Sequence, residues 1–154
     1  MTDTTTRPPR FNHVAMSVPS ALLEPAGRAE LTAFYADVFG WQELPTETVD
    51  GQKLVFGVHT VEQFVFLIAD DPPMTCPRLD HYGLSVETEA ELDAVLAKAK
   101  AWQARDDRVD IVDKKTDDHG VLAITSIYVG YLLPMMVEIQ WWDFKTDPAA
   151  TPAA

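Results

Sequence analysis

The chain has 154 residues, a length that suits one domain with a substantial hydrophobic core. Its 24 acidic and 12 basic side chains give a formal net charge of -12, which repels phosphate backbones and anionic lipids and argues against nucleic acid and membranes as partners. It contains no apolar run of membrane-spanning length, and its single cysteine, Cys76, cannot form an internal disulfide, so we expect a cytoplasmic protein.

The first predicted element is a strand, FNHVAMSV, at residues 11–18. The stretch RAELTAFYADVFGW follows, with apolar residues at helical spacing, and Gly40 ends this predicted helix. Three extended segments come next: WQELPTE, KLVFGVHT and QFVFLIAD. Together these elements form a first module of about residues 10–70.

A proline-rich stretch, DDPPMTCPRL, predicts a linker at residues 71–78. The order of elements then repeats. LDHYGLSV predicts a strand, and TEAELDAVLAKAKAWQ predicts a helix opened by Thr88 as its cap, with Glu91 three residues on. Three extended segments, VDIVDKKT, ITSIYVGYLL and MMVEIQWWDF, complete a second module of about residues 79–144.

The two modules resemble each other in sequence. Their first strands agree at three equivalent positions, which are His13 and His81, Ser17 and Ser85, and Val18 and Val86. Their helices also match at several positions, and although helices share Glu, Leu and Ala by propensity, strand and helix matches occur in the same order. We interpret residues 10–144 as one α+β domain made by duplication of a βαβββ unit, with disordered tails at 1–9 and 145–154.

Both histidines are predicted to lie on the same side of their strands, among small residues. Because side chains alternate across a strand, His13 shares a face with Ala15, and His81 shares one with Gly83. The opposite faces carry larger apolar residues that suit packing beneath a helix. Small neighbours leave space beside each histidine, so we expect a cavity to which both contribute. The alternative is a core histidine bonded to a backbone carbonyl.

Glu138 lies in the middle of the last predicted strand, MMVEIQWW, among apolar neighbours. Burial of an unpaired carboxylate is costly, so this side chain should be paired, protonated, exposed to solvent or bound to a metal. A solvent-facing strand glutamate is the simplest alternative. The two histidines favour the metal interpretation.

With these residues, the chain resembles the vicinal oxygen chelate superfamily, which includes glyoxalase I, type I extradiol dioxygenases, fosfomycin-resistance enzymes and bleomycin-binding proteins. The resemblance runs from FNHVAMSV through FYADVFGW to VEIQWW. It implies paired βαβββ modules that form a concave mixed β-sheet with the helices outside. It also implies a divalent metal held by His13, His81 and Glu138, a small-molecule substrate and a homodimer, in which a site is sometimes built from two chains.

The resemblance also bears on the type of reaction. Glyoxalase I normally takes a fourth ligand from the last strand of its first module, and here that place falls at about Phe66, which cannot bind a metal. The remaining set of two histidines and one carboxylate resembles that of the extradiol dioxygenases and leaves coordination positions open. Fe(II) is therefore favoured, although Mn, Ni, Co or Zn can use the same ligands.

We therefore expect an extradiol-type dioxygenase that acts on a catechol-like substrate with two neighbouring oxygens. Two alternatives remain open: a metal-dependent isomerase, epimerase or lyase of the glyoxalase type, and a non-catalytic resistance protein that binds a small molecule. The candidate acid–base residues are His119, Tyr128 and Tyr131, although a solvated turn and core packing also explain them. The candidate substrate-lining residues, for which core packing is again an alternative, are Phe64, Phe66, Met136 and Trp142.

Overall fold

The computed structural model of the protein describes residues 8–145. The predicted tails at 1–9 and 145–154 therefore lie almost entirely outside the described residues. Within the described range, no helix combines the length and the apolar character needed to cross a bilayer.

The first module contains four strands and one long helix. Its elements are β1 (His13–Val18), α1 (Pro25–Phe39), β2 (Gln42–Glu43), β3 (Lys53–Gly57) and β4 (Phe64–Ala69), with short 3₁₀ helices at Ser20–Leu22 and Pro45–Glu47. Helix α1 begins three residues before the periodic stretch that starts at Arg28, because Pro25 suits the first turn of a helix. It ends at Gly40, whose φ of 74° lies in the left-handed region that glycine tolerates. The predicted strand WQELPTE is reduced to two residues, since a 3₁₀ helix begins at Pro45.

The second module repeats this order. Its elements are β5 (His81–Val86), α2 (Glu89–Gln103), β6 (Asp110–Asp118), β7 (Leu122–Gly130) and β8 (Met136–Phe144). The predicted cap of α2 is confirmed: the Thr88 hydroxyl accepts a hydrogen bond from the Glu91 amide, and the Glu91 carboxylate accepts one from the Thr88 amide.

Each module forms one four-stranded mixed sheet. The strand orders are β1-β4-β3-β2 and β5-β8-β7-β6, and in both sheets the first strand of the module pairs in parallel with the last. The paired βαβββ architecture is thus confirmed. Within one chain, however, the concave sheet consists of two separate halves, because β1 and β5 are edge strands that do not pair with each other.

The predicted orientation of the first strands is confirmed by their burial. In β1, Met16 and Val18 are buried, whereas His13 is exposed. In β5, Tyr82 is buried, whereas His81 is exposed. Each sheet therefore has a face that packs in the helix-covered core and an open face that carries the histidine.

The two modules are joined through their helices and the end of β7. The Phe34 ring of α1 lies 5.3 Å from the Trp102 ring of α2 and 4.3 Å from the Tyr131 ring. Beside it, the Tyr131 hydroxyl donates to Asp106 (2.8 Å) and lies 3.1 Å from a Glu30 carboxylate oxygen. This cluster of rings and hydrogen bonds, here called the Tyr131 joint, connects α1 to the segment before β6 and to the segment after β7.

Candidate metal centre

His81 and Glu138 meet on the open face of the second sheet. They lie on the neighbouring strands β5 and β8, where Gly83 is the direct partner of Glu138. The His81 Nε2 atom is 3.4 Å from a Glu138 carboxylate oxygen. The Glu138 side chain is only 8% exposed, whereas that of His81 is 38% exposed. An imidazole nitrogen and a carboxylate oxygen thus reach the same point at the surface of the sheet.

The other ring nitrogen of His81 is held by the backbone. Nδ1 lies 2.7 Å from the carbonyl oxygen of Leu79. A carbonyl oxygen can only accept a hydrogen bond, so Nδ1 carries a hydrogen, and in the neutral imidazole Nε2 then carries the lone pair. This is the tautomer in which an imidazole binds a metal, and a hydrogen bond of this kind also fixes the ring orientation.

Gly83 keeps space open beside the Glu138 carboxylate. A Cβ atom at this position would lie 3.4 Å from a Glu138 oxygen, so a larger side chain would crowd the carboxylate. No lysine or arginine among residues 8–145 forms an ion pair with Glu138. A nearly buried carboxylate beside an imidazole nitrogen and an open space is suited to a cation.

Tyr128 completes the group around this pair. It lies on β7 directly opposite Glu138, and its ring is 4.9 Å from that of His81 in an edge-on arrangement. The pKa of Tyr128 is raised, mainly because the neighbouring Glu138 carboxylate favours the neutral phenol and, to a lesser extent, because burial does so too. The phenol therefore stays protonated and can donate a hydrogen bond.

His13 occupies the equivalent position on the first sheet. Its ring stacks on Phe64, with centroids 4.7 Å apart, and its Nδ1 lies 2.8 Å from the side-chain oxygen of Asn12, which leaves Nε2 free. A cleft of about 440 Å³ between the edges of the two sheets is lined by His13 on one side and by Gly83 on the other. Even so, residues 8–145 of one chain contain no group of three His, Cys, Asp or Glu side chains that could hold a metal. A single chain thus brings together His81 and Glu138 but does not add His13 to them.

The structure separates His119 and Tyr131 from this pair. His119 is exposed in the turn between β6 and β7, at the end of the hairpin where Leu122 pairs with Phe144. Phe144 is six residues beyond Glu138 on β8, which corresponds to about 20 Å along the strand. Tyr131 belongs to the helix side of the sheet, where its hydroxyl is engaged in the Tyr131 joint.

The predicted lining residues lie on both sheets. Phe64 and Phe66 are half-buried on the open face of the first sheet, with His13. Met136 is the direct strand partner of His81 and is 4% exposed, so it packs beneath the site and offers little surface to a substrate. Trp142 is 43% exposed, on the same side of β8 as Glu138.

Asn12 and the Leu79 carbonyl are not among the sequence-based candidates, although each fixes the ring of a predicted ligand. The signal for Asn12 is its position directly before His13. A backbone carbonyl leaves no signal in the sequence, because any residue at position 79 supplies it.

Solved structures with this fold are known, although no protein-family model and no curated protein sequence matches the chain. The fold is similar to that of a lactoylglutathione lyase from Agrobacterium tumefaciens, with a TM-score of 0.60 and 18% identity over 88% of this chain and 96% of that one. It is also similar to the fosfomycin resistance protein FosX from Listeria monocytogenes, with a TM-score of 0.59 and 15% identity over 88% and 94% of the two chains. A glyoxalase/bleomycin resistance protein/dioxygenase from Nocardioides gives a TM-score of 0.59 and 12% identity over 94% of this chain and 91% of its own. The chain therefore has the fold of the vicinal oxygen chelate superfamily.

Proposed function

We propose that the protein is a metal-dependent enzyme that binds its substrate through two neighbouring oxygen atoms, and that His81, Glu138 and His13 are the metal ligands. The observation that carries this proposal is the pairing of a free His81 Nε2 with the Glu138 carboxylate, 3.4 Å apart on an open face. The space beside Gly83 and the hydrogen bond from His81 to Leu79 support it, because both are features that a metal ligand set needs.

The third ligand, His13, comes from a second copy of the chain in this proposal. His13 and His81 lie on the edge strands β1 and β5, whose outer backbone groups are available for another chain. A symmetric dimer that joins the first sheet of one copy to the second sheet of the other would contain two equivalent sites. Each site would then combine His81 and Glu138 of one protomer with His13 of its partner.

The favoured activity is that of an Fe(II)-dependent extradiol-type dioxygenase. With only two histidines and one carboxylate as ligands, a bound Fe(II) supplies open positions, Lewis acidity and redox chemistry with O₂. Phe66, which has no ligating atom, lies on the open face of the first sheet and supports a site with three rather than four protein ligands. The protonated Tyr128 phenol is placed to donate a hydrogen bond to a substrate oxygen and to help hold a diol in one orientation.

A lyase or isomerase is the second candidate. The similar structure from Agrobacterium tumefaciens is named as a lactoylglutathione lyase, and proton transfer beside a metal could use Tyr128 in the same position. The two candidates differ in whether O₂ is consumed.

Metal analysis of protein purified without oxygen, followed by oxygen-uptake assays with catechol, tests the proposal. We expect one iron per chain, lost in His81→Ala, Glu138→Ala and His13→Ala but retained in the control His119→Ala, whose side chain is exposed and distant. Oxygen consumption supports the dioxygenase, whereas tightly bound Zn or Ni with no oxygen consumption supports the lyase or isomerase. Protein that binds no divalent metal would contradict both.

A further inference from the structure

The two equivalent histidines are held by different kinds of partner. The carbonyl oxygen of Leu79 lies 2.7 Å from Nδ1 of His81, whereas the side-chain oxygen of Asn12 lies 2.8 Å from Nδ1 of His13. Any residue supplies a backbone carbonyl, but the amide oxygen beside the first histidine depends on the identity of one side chain. His13 is therefore the histidine whose Nδ1 contact a substitution can remove.

The residue before each histidine has the same backbone environment. The Asn12 carbonyl accepts a hydrogen bond (3.2 Å) from the amide of Phe64, which is the strand partner of the following histidine. The Asp80 carbonyl accepts one (2.9 Å) from the amide of Met136, which is again the strand partner of the following histidine. The two positions are therefore equivalent, and they differ in that the Asn12 side chain is bonded to the histidine ring.

The His13 ring is held by two contacts although it is exposed. Besides the hydrogen bond to Asn12, it stacks on the Phe64 ring, with the centroids 4.7 Å apart and the planes 2° from parallel. An exposed imidazole can satisfy both nitrogens with water, so the fold does not need this hydrogen bond to keep the ring in place. The stack fixes the plane of the ring, whereas the hydrogen bond determines which nitrogen lies beside Asn12. The hydrogen bond thus sets the direction of Nε2.

The acceptor also sets the position of the ring hydrogen. The Asn12 oxygen can only accept a hydrogen bond, so Nδ1 of His13 carries a hydrogen, and in the neutral imidazole Nε2 then carries the lone pair. His81 reaches the same state through the Leu79 carbonyl. Two different partners thus produce the same tautomer at equivalent positions of the two sheets. This agreement argues for a requirement on Nε2 and against a chance contact.

We infer that Asn12 is a positioning residue: its side-chain oxygen holds His13 in the tautomer and the orientation that present the Nε2 lone pair to a metal. Asn12 acts through the imidazole, because a hydrogen bond of this kind orients a ligand and increases its basicity. The inference rests on the proposed function for the role of His13 as a ligand. The tautomer of His13, in contrast, exists in the metal-free protein and is measured there.

NMR of the metal-free protein at about pH 8, where histidine side chains are mostly neutral, tests the tautomer directly. The ¹⁵N shifts of the two ring nitrogens identify the one that carries the hydrogen. We expect Nδ1 to carry it in both His13 and His81 of the wild type. Asn12→Leu removes the acceptor at similar size and should shift His13 towards the form with the hydrogen on Nε2, while His81 stays unchanged as an internal control. Asn12→Asp keeps an acceptor and should retain the wild-type tautomer.

Calorimetric titration with Mn(II) gives the second readout. Asn12→Leu should weaken Mn(II) binding about 10- to 100-fold, and Asn12→Asp should restore it. Asp80→Leu is the matched control, because it makes the same change at the equivalent exposed position of the second module. It should leave both tautomers unchanged and alter Mn(II) affinity by less than about threefold, since an exposed charge contributes little. Circular dichroism checks that each variant is folded.

The outcomes separate this inference from the proposed function. A wild-type His13 with its hydrogen on Nε2 would overturn the inference, because the Asn12 amide would then be the donor. An unchanged tautomer or unchanged Mn(II) affinity in Asn12→Leu would overturn it even in a protein that binds metal tightly. The expected tautomers in a protein that binds no metal would contradict the proposed function and still support Asn12 as the residue that holds His13.

Discussion

Mixing two variants tests whether each proposed metal site is shared between chains. His13→Ala lacks the proposed ligand from the first sheet but retains His81 and Glu138, whereas His81→Ala lacks a proposed ligand from the second sheet but retains His13. If a site joins the first sheet of one copy to the second sheet of its partner, a mixed dimer contains one complete site and one site with both defects. Neither variant alone forms a complete site.

The expected recovery follows from this arrangement. Equal amounts of the two variants that exchange at random give about half mixed dimers, each with one complete site of its two. About a quarter of the wild-type iron content should therefore return, together with about a quarter of the activity. The assay is co-refolding of the two variants, separation of dimers and measurement of iron per chain.

A matched mixture provides the control. His81→Ala mixed with Glu138→Ala should recover no iron, because His81 and Glu138 lie 3.4 Å apart on the same sheet and both defects fall on one side of the shared site. Subunit exchange is verified by mass spectrometry of differently tagged chains. Verified exchange without recovery in the His13→Ala mixture, or full iron content in a monomeric protein, would refute the shared site.

Three further changes test other parts of the structure. Gly83→Val should weaken metal binding about tenfold or more in a metal titration, because its side chain would crowd the Glu138 carboxylate, already 3.4 Å from a Cβ at this position. Thr88→Ala should lower the free energy of unfolding by about 1 kcal/mol in urea titrations, since it removes the hydrogen bond to the Glu91 amide. Hydrogen bonds, chiefly from the neighbouring Arg108 guanidinium, hold the pKa of Asp106 below its ordinary value. The ionised Asp106 therefore stabilises the fold at neutral pH, and this stabilisation is lost as the pH falls below about 4. Asp106→Asn should accordingly show a smaller loss of stability in acid when the free energy of unfolding is measured against pH.

Each of these changes has a neighbouring control. Ser85→Ala should leave metal affinity unaltered, and a comparable loss there would contradict the role of Gly83. Thr46→Ala, at an exposed position, should leave the free energy of unfolding unaltered, and an equal effect would argue against the cap. Asp107→Asn, next to Asp106, should retain the wild-type dependence of stability on pH, and identical curves for both variants would count against the Asp106 interaction.

The sequence predicts the modules and the direction of their histidines because both depend on local patterns. Alternation of small and large residues distinguishes the two faces of β1 and β5, and repetition of the pattern reveals the duplication. The same alternation places Glu138, Gln140 and Trp142 on one face of β8. The sequence of this strand therefore predicts which of its side chains lie on the same face as Glu138.

Other features depend on contacts between distant segments. Tyr128 and Tyr131 are three residues apart, so alternation along a strand would place them on opposite faces, but it does not say which of them faces the site. The pairing of β7 with β8 places Tyr128 opposite Glu138, whereas Tyr131, just beyond the end of β7, turns towards the helices. His119 is a plausible acid–base group in sequence, but it lies in the turn before β7, and the length of β7 separates it from Glu138. The separation of the two sheets within one chain is likewise invisible in the pattern, since each module is complete by itself.

The Tyr131 joint has a consequence for how the duplicated halves fold. The Tyr131 hydroxyl contacts Asp106 and Glu30, and the Tyr131 carbonyl accepts a hydrogen bond from the Tyr35 hydroxyl. Tyr131 of the second module is thus bonded to helix α1 of the first. Opening either half would break these bonds and expose the shared aromatic core around Phe34. Although each half forms its own four-stranded sheet, the two should melt as one cooperative unit, without a half-folded intermediate.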